Sequence, residues 1–553
     1  MPSRLKLGRP ALVMAIAVAV LIAAGLYFRW WDRYVEEGLA KWAVGEVSRR
    51  TDGAYRLVLG DLSFRPLSGS LSFDSAIVVT DSASNLGRTA PLPTLRGSAH
   101  DCILSGVNVR RLFFRESFDA HTLGCRRVVA GIVLIPRAEA KREAPLDTMG
   151  INAPVPRLVR PLGLALFRIT EISFPALSFT LRRPGPNGGA SAVLERAEFH
   201  VSDLVFDPTA DPRARRSVTS RSARIEAKGL SMRPDTLSEV AIARFETDLT
   251  DSTLGLAGAR REPSMTDDEW VRSQKVRRDR VRFKLDSLEA RGIAYRTLVT
   301  SGDLDVRAIE LRGGRLNVLT DKRIPAGRPK RHQTPQHAAA RVGLPFHVDT
   351  VLVTGGDIVY HERKPEKERA GRISFDSVHG RILDLNLPSR GKPLRIEARA
   401  RLMNEGLLSV RATVPLDAVD FRYELEGKLG PMPATAINRF LEENEPIRLA
   451  KGQVDSVHFR QVVRRGRSET TLTPRYHDLS VESAEEGGGV IGSVKRGVVK
   501  FMANTFKMHD ENPEDDGKRV RVAKAIVVYD PTKSWVQFIW LGLREGLKLT
   551  IMK

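Results

Sequence analysis

The 553 residues hold only two cysteines, Cys102 and Cys125, the first side chains whose chemistry follows from type and spacing. Such a pair, closing a loop of about two dozen residues, can bridge in an oxidising compartment, for a loop-entropy contribution of roughly 3 kcal/mol. The alternative is two small buried thiols. There is no CxxC and no zinc spacing. Of the eleven histidines, the closest set is His332, His337 and His347, in a basic stretch without acidic neighbours at ligand spacing. That reads as solvated loop rather than a metal site. The chain has no GxSxG, no HExxH and no GxxxxGK(S/T), and its many glycines form no phosphate-binding fingerprint. Its carboxylates mostly alternate with arginines, as solvated cross-strand pairs do. The expectation is a non-enzyme, with no catalytic residue, no metal and no cofactor.

Apolar side chains, by contrast, recur with strict regularity. Leu394, Ile396, Ala398, Ala400 and Leu402 alternate with Arg395, Glu397, Arg399 and Arg401. After a turn at Asn404, Glu405 and Gly406, the same period of two runs through Leu408, Val410, Ala412, Val414 and Leu416. It returns in Phe421, Tyr423, Leu425 and Leu429. The pattern predicts three antiparallel strands with one apolar and one charged face. From Tyr55 onward further strands are expected, among them Leu71 to Val79, Ile172 to Leu181, Glu198 to Phe206, Val281 to Leu285, Leu304 to Leu311, Phe346 to Val353, Ile373 to Phe375 and Leu383 to Leu387. Long polar or basic stretches, the largest Pro136 to Pro161, Gly258 to Asp279, Asp321 to Leu344 and Arg363 to Gly371, read as surface insertions. Glycine-led words at Gly292, Gly313 and Gly355 suggest bulges or tight bends before short apolar strands. The class is mainly antiparallel β, and from periodicity alone a closed sandwich is the commoner answer.

Ala11 to Phe28 is an uncharged apolar run, about 27 Å long as a helix and close to the ~30 Å hydrocarbon core. Leu12, Ile16, Val20, Leu21, Leu26 and Phe28 would face lipid, with Trp30 and Trp31 in an interfacial belt. A basic cluster before one apolar run favours the amino terminus inside. A cleaved signal peptide is the alternative, and either way the bulk is exported. The net charge of +22 favours an anionic partner, and export demotes nucleic acid. Two carboxy-terminal stretches read as basic amphipathic helices. One carries Lys495 and Lys500 beside Val490, Val494, Val498 and Phe501, and the other carries Trp535, Phe538, Trp540 and Lys548. They would either touch an anionic membrane surface or plug the end of the sheet.

Several words resemble the AsmA-like family of envelope proteins, the AsmA, TamB and YhdP type. They are the single span followed by YRLVLGDLSFRPLSGSLSFDSAIVVT (Tyr55 to Thr80), PFHVDTVLVTGGDIVYHER (Pro345 to Arg363) and LGPMPATAINRFLEENEPIRLAKGQVDSVHF (Leu429 to Phe459). The resemblance implies an elongated, curved antiparallel sheet with an apolar, β-taco-like groove, one amino-terminal transmembrane helix and short carboxy-terminal amphipathic helices. On that basis residues 1–10 are cytoplasmic, 11–28 the anchor, 29–486 a periplasmic β-rich body with a family-like module at 429–460, and 487–553 the carboxy-terminal helices. Groove candidates are then Leu394, Ile396, Ala398, Leu402, Leu408, Val410, Val414, Phe421, Tyr423 and Leu425. The implied function is cell-envelope biogenesis, binding or transferring a phospholipid or other envelope lipid at the bacterial inner membrane. An outer-membrane or periplasmic partner protein belongs to the same picture. The alternatives are a scaffold that pairs its sheet edge with a client strand during outer-membrane protein assembly, and a closed β-sandwich interaction protein.

Overall fold

A computed structural model of the chain describes residues 34, 36–38, 40–41, 43–49, 51–65, 68–86, 93–108, 111, 117–134, 166–184, 189–206, 218–233, 237–327, 331–341, 345–445, 447–483, 508–514 and 519–552. The predicted span Ala11 to Phe28, with Leu12, Ile16, Val20, Leu21, Leu26, Phe28, Trp30 and Trp31, lies outside them, as do Lys495 and Lys500. Among the described residues no helix is long and apolar enough to cross a membrane. The protein is mainly β, and its chain divides into two compact units, residues 1–140 with 153–230 and residues 141–152 with 231–553.

The first unit is built from β1 (Tyr55–Leu59), β2 (Leu62–Arg65), β3 (Ser70–Thr80), β4 (Thr94–Ser105), β5 (Phe118–Val133), β6 (Phe167–Arg183), β7 (Ala190–Phe206), β8 (Val218–Thr219) and β9 (Ser222–Arg233, which runs past the unit's end at Leu230). β1 and β2 both pair with β3, and β3, β4 and β5 pair in turn, all antiparallel. The β5–β6 pair is parallel, and β6–β7 is antiparallel again.

The second unit holds β10 (Ser238–Asp248), β11 (Thr253–Pro263), β12 (Arg280–Ile293), β13 (Leu304–Arg312), β14 (Arg315–Asp321), β15 (Phe346–Arg363), β16 (Gly371–Leu387), β17 (Leu394–Leu402), β18 (Gly406–Val414), β19 (Tyr423–Leu429), β20 (Met432–Pro433), β21 (Ile447–Arg464), β22 (Arg467–Ser483) and β23 (Ala523–Val528). β13 and β14 lie end to end against β12, one strand interrupted at Gly313 and Gly314, and both pair in parallel with β15. From β15 to β23 every pairing is antiparallel.

The sheets are therefore mixed rather than purely antiparallel, for a physical reason. Parallel neighbours need long crossovers, and the two crossovers pass through the stretches around 136–161 and 321–344 that read as surface insertions. The second crossover carries a helix, Pro335–Ala340, capped by the Thr334 side chain. The stretch after Gly258 also differs from expectation, because β11 continues to Pro263 and a helix, Asp267–Ser273, follows with a Thr266–Glu269 capping box. Gly292 closes β12 and leads into a helix, Tyr295–Ser301, not into a strand. Around Gly355 and Gly356 the expected bulge is present, as register shifts within β15 and β16.

Candidate apolar binding face

In the second unit the register stacks side chains into rows that cross the sheet. One row runs Phe245, Leu256, Leu288, Leu311, Val353, Gly380, Ala398, Val410, Gly427, Phe459, Leu472 and Ala523, one residue per strand position from β10 to β23. No member has a polar side chain. The members from Phe245 to Phe459 are half-buried, whereas Leu472 and Ala523 are buried. A parallel row two residues away runs Leu254, Ala290, Ile309, Val351, Ile382, Ile396, Ala412 and Leu425 before ending at Gln461 and Thr470.

Neighbours one residue along point to the opposite face, because strand side chains alternate. That face carries Arg381, Glu397, Arg411, Glu426 and Arg460 in register. Arg381 meets Glu397 at 2.8 Å, Arg411 meets Glu426 at 3.6 Å and Arg460 meets Glu424 at 3.3 Å. Exposed pairs of this kind add at most about 1 kcal/mol each. Their larger effect is on register, since a one-residue slip would drive charge onto the apolar side.

The first unit carries a shorter version. Leu57, Val78, Gly97, Ala130, Phe179 and Leu194 form one row, and Leu59, Ala76, Ala99, Val128, Leu177 and Ala197 form the next. In the same sheet Cys102 on β4 and Cys125 on β5 are direct register partners, with Cα atoms 4.0 Å apart, and they are disulfide-bonded.

A carboxy-terminal helix, Trp535–Ile551, covers one end of the second unit's apolar face. It starts with a capping box between Ser534 and Gln537 and buries Phe538, Gly542, Gly546 and Thr550, every fourth residue. The Phe538 ring lies 5.8 Å from Phe421 and 5.3 Å from Tyr529, in a core shared with Val414, Leu416, Tyr423, Val463 and Ala339. Gly542 sits on a buried polar chain in which the Tyr423 hydroxyl donates to Gln461 Oε1 at 2.7 Å and Gln461 Nε2 donates to Thr470 Oγ1 at 3.0 Å. Burial pushes the Tyr423 hydroxyl well above the usual phenol range. A side chain at position 542 would overlap Gln461, so glycine sets how close the helix lies.

This plug sorts the predicted site residues. Val414, Phe421 and Tyr423 are 7%, 8% and 4% exposed and belong to its core, so they line no open surface. Phe538, expected on a membrane face, is 1% exposed and is core too, because its ring fills the space over Phe421. Leu394 and Leu425 pack at the plug's margin, while Ile396, Ala398, Leu402, Leu408 and Val410 stay half-buried beyond it. Trp535, Trp540 and Lys548 are exposed, and Lys548 pairs with Glu545. His347 also departs from the solvated-loop reading, because it lies within β15 and is 7% exposed. Among the described residues no cluster of potential metal ligands occurs.

Sequence reasoning missed most of the long row, including Leu256, Leu288, Leu311, Val353, Phe459 and Leu472. Their signal was present as alternation but lay across separate strands, and only the pairing register makes it one line. Compared with known proteins, the chain matches no family model and no curated sequence.

Proposed function

We propose that this protein is a lipid-binding or lipid-transferring component of the bacterial cell envelope, of the AsmA-like type. In this reading residues 11–28 anchor it in the inner membrane and the bulk is periplasmic. The observation that carries it is the unbroken row from Phe245 to Ala523, half-buried over most of its length. At ~4.8 Å per strand such a row runs about 50 Å. In a closed sandwich the middle of that row would be dry core; instead Ala398 and Val410 keep part of their surface. The disulfide is the kind of bond that persists in an oxidising compartment such as the periplasm.

The mechanism is passive. Each methylene moved from water onto an apolar face gains about 0.8 kcal/mol, so ten methylenes offer roughly 8 kcal/mol before ordering costs. Acyl chains would lie along the row with headgroups at the wet margin, and no covalent step is involved. A second reading, a scaffold that pairs a client strand, is favoured by β23. Among the described residues it pairs with β22 alone, and its Ile526 and Val528 are 56% and 70% exposed.

Mass spectrometry of lipid co-purified with the whole chain after gentle extraction tests the first reading. Wild type should carry lipid, and Val410→Asp should stay folded and membrane-inserted with less of it. A folded Val410→Asp protein with its full lipid load would remove the row from the function. Misfolding of that variant would point to a dry core instead, because an unpaired buried carboxylate costs several kcal/mol.

A further inference from the structure

One set of strand ends in the second unit gathers features that neither the apolar row nor the plug uses. The loop from β18 to β19, the tight turn from β21 to β22, the exit of β23 and the approach to the carboxy-terminal helix are stitched together by hydrogen bonds. Arg465 N donates to Asp420 Oδ2 at 2.9 Å and Gly466 N to the Phe421 carbonyl at 3.0 Å. Tyr529 N donates to the Gly466 carbonyl at 2.8 Å, and Gln336 Nε2 reaches the Arg422 carbonyl at 2.7 Å. These elements therefore form one rim.

The rim is apolar where solvent meets it. Val419, at the tip of the β18–β19 loop, is 99% exposed, followed by Val528 at 70%, Val536 at 58%, Trp540 at 48% and Trp535 at 39%. Eight of the eighteen large apolar side chains exposed among the described residues fall between Val522 and Met552, so the exposure is concentrated, not scattered. Around it stand Arg341, Arg464, Arg465 and Arg467, all exposed and without a carboxylate partner among the described residues. The nearby acids are occupied, with Asp420 accepting from Arg422 and Asp530 from Thr532.

We infer that this rim docks on the surface of an anionic phospholipid bilayer, with Val419 and the two tryptophans entering the headgroup layer and the four arginines meeting lipid phosphates. Three features choose a bilayer over a protein. A single valine projecting from a loop offers no concavity for a protein hot spot, whereas tryptophan beside arginine suits the interface between headgroup and hydrocarbon. The unpaired cations supply complementarity to anionic lipid. The inference goes beyond lipid binding on the apolar row and stands without it.

The test uses the whole chain in lipid nanodiscs, offered labelled vesicles of phosphatidylcholine with or without phosphatidylglycerol. Wild type should capture the anionic vesicles and leave the neutral ones. Val419→Asp, and separately the Arg464→Glu/Arg465→Glu pair, should lose about tenfold in vesicle affinity, equivalent to ~1.4 kcal/mol. Leu407→Asp, also an exposed apolar position but near the start of β18, should bind as wild type. The inference is overturned if wild type captures neither vesicle or both equally, or if Val419→Asp is indistinguishable from wild type or from Leu407→Asp. Bound lipid is measured on the same preparations and should be unchanged in Val419→Asp, which separates failure of the docking surface from failure of the binding row.

Discussion

Asp321 is 1% exposed, yet its carboxylate is held charged. Burial pushes its pKa up, but bonds from Arg323 Nε and Nη2 at 3.1 and 2.8 Å, the Arg323 amide at 3.0 Å and Arg363 at 3.5 Å outweigh it, and the net shift is downward. A folded-state pKa below the unfolded value of about 3.9 means that this stabilisation is present above that value and is lost as pH falls through the folded one. Asp321→Asn should therefore lose about 1–3 kcal/mol at neutral pH, read from the denaturant midpoint, and the gap to wild type should narrow below about pH 4. An unchanged gap down to strongly acid pH would show that the carboxylate's charge is not what matters. At the same scale, alkylation of the unfolded but unreduced protein should leave Cys102 and Cys125 unlabelled, and labelling of both would remove the bridge. Residue chemistry was only partly legible in the sequence. The cysteine pair could be named, but a bridge and two buried thiols leave the same spacing. His347 looked like its loop neighbours because burial depends on the strand it joins.

Among the elements, the carboxy-terminal helix settles a question that its composition left open. An amphipathic stretch with tryptophans and lysines can plug a sheet or lie on a membrane, and here Phe538, Gly542, Gly546 and Thr550 fix the plugged side while Trp535 and Trp540 remain outside. Gly542→Val should wedge the helix off Gln461 and Thr470 and cost about 1–3 kcal/mol, seen as faster hydrogen exchange in the helix and in β22. Exchange unchanged in both would mean that the helix does not depend on that close approach. Strand identity was largely legible, since β6, β13 and β17 stand where alternation put them. Pairing was not. In β12 the apolar parity changes between Val281, Phe283 and Leu285 on one side and Leu288 and Ala290 on the other, next to Asp286, against which Gly313 packs with a φ of +65°. A strict period of two cannot report such a switch, and it cannot report which neighbours are parallel.

At the scale of the whole molecule, the charge of +22 and the apolar rows are two aspects of one sequence habit, arginine alternating with aliphatic residues. That habit made the apolar face visible at Leu394 to Leu429 long before its full extent, because one meander needs only local turns whereas twelve strand positions need long-range register. The topology reading has its own check. A reporter active only in the cytoplasm, fused after Lys553, should stay silent, and activity from it would overturn the periplasmic assignment.

The central claim is that acyl chains occupy the apolar row, and site-specific photo-crosslinking in living cells tests it most directly. A photoreactive phenylalanine analogue is placed at Val410, on the row, and in a second protein at Arg411, the next residue on the charged face. A lipid adduct at position 410 and none at 411, read by mass spectrometry of the intact chain, is the predicted result. No adduct at 410, or equal adducts at both, would contradict the account.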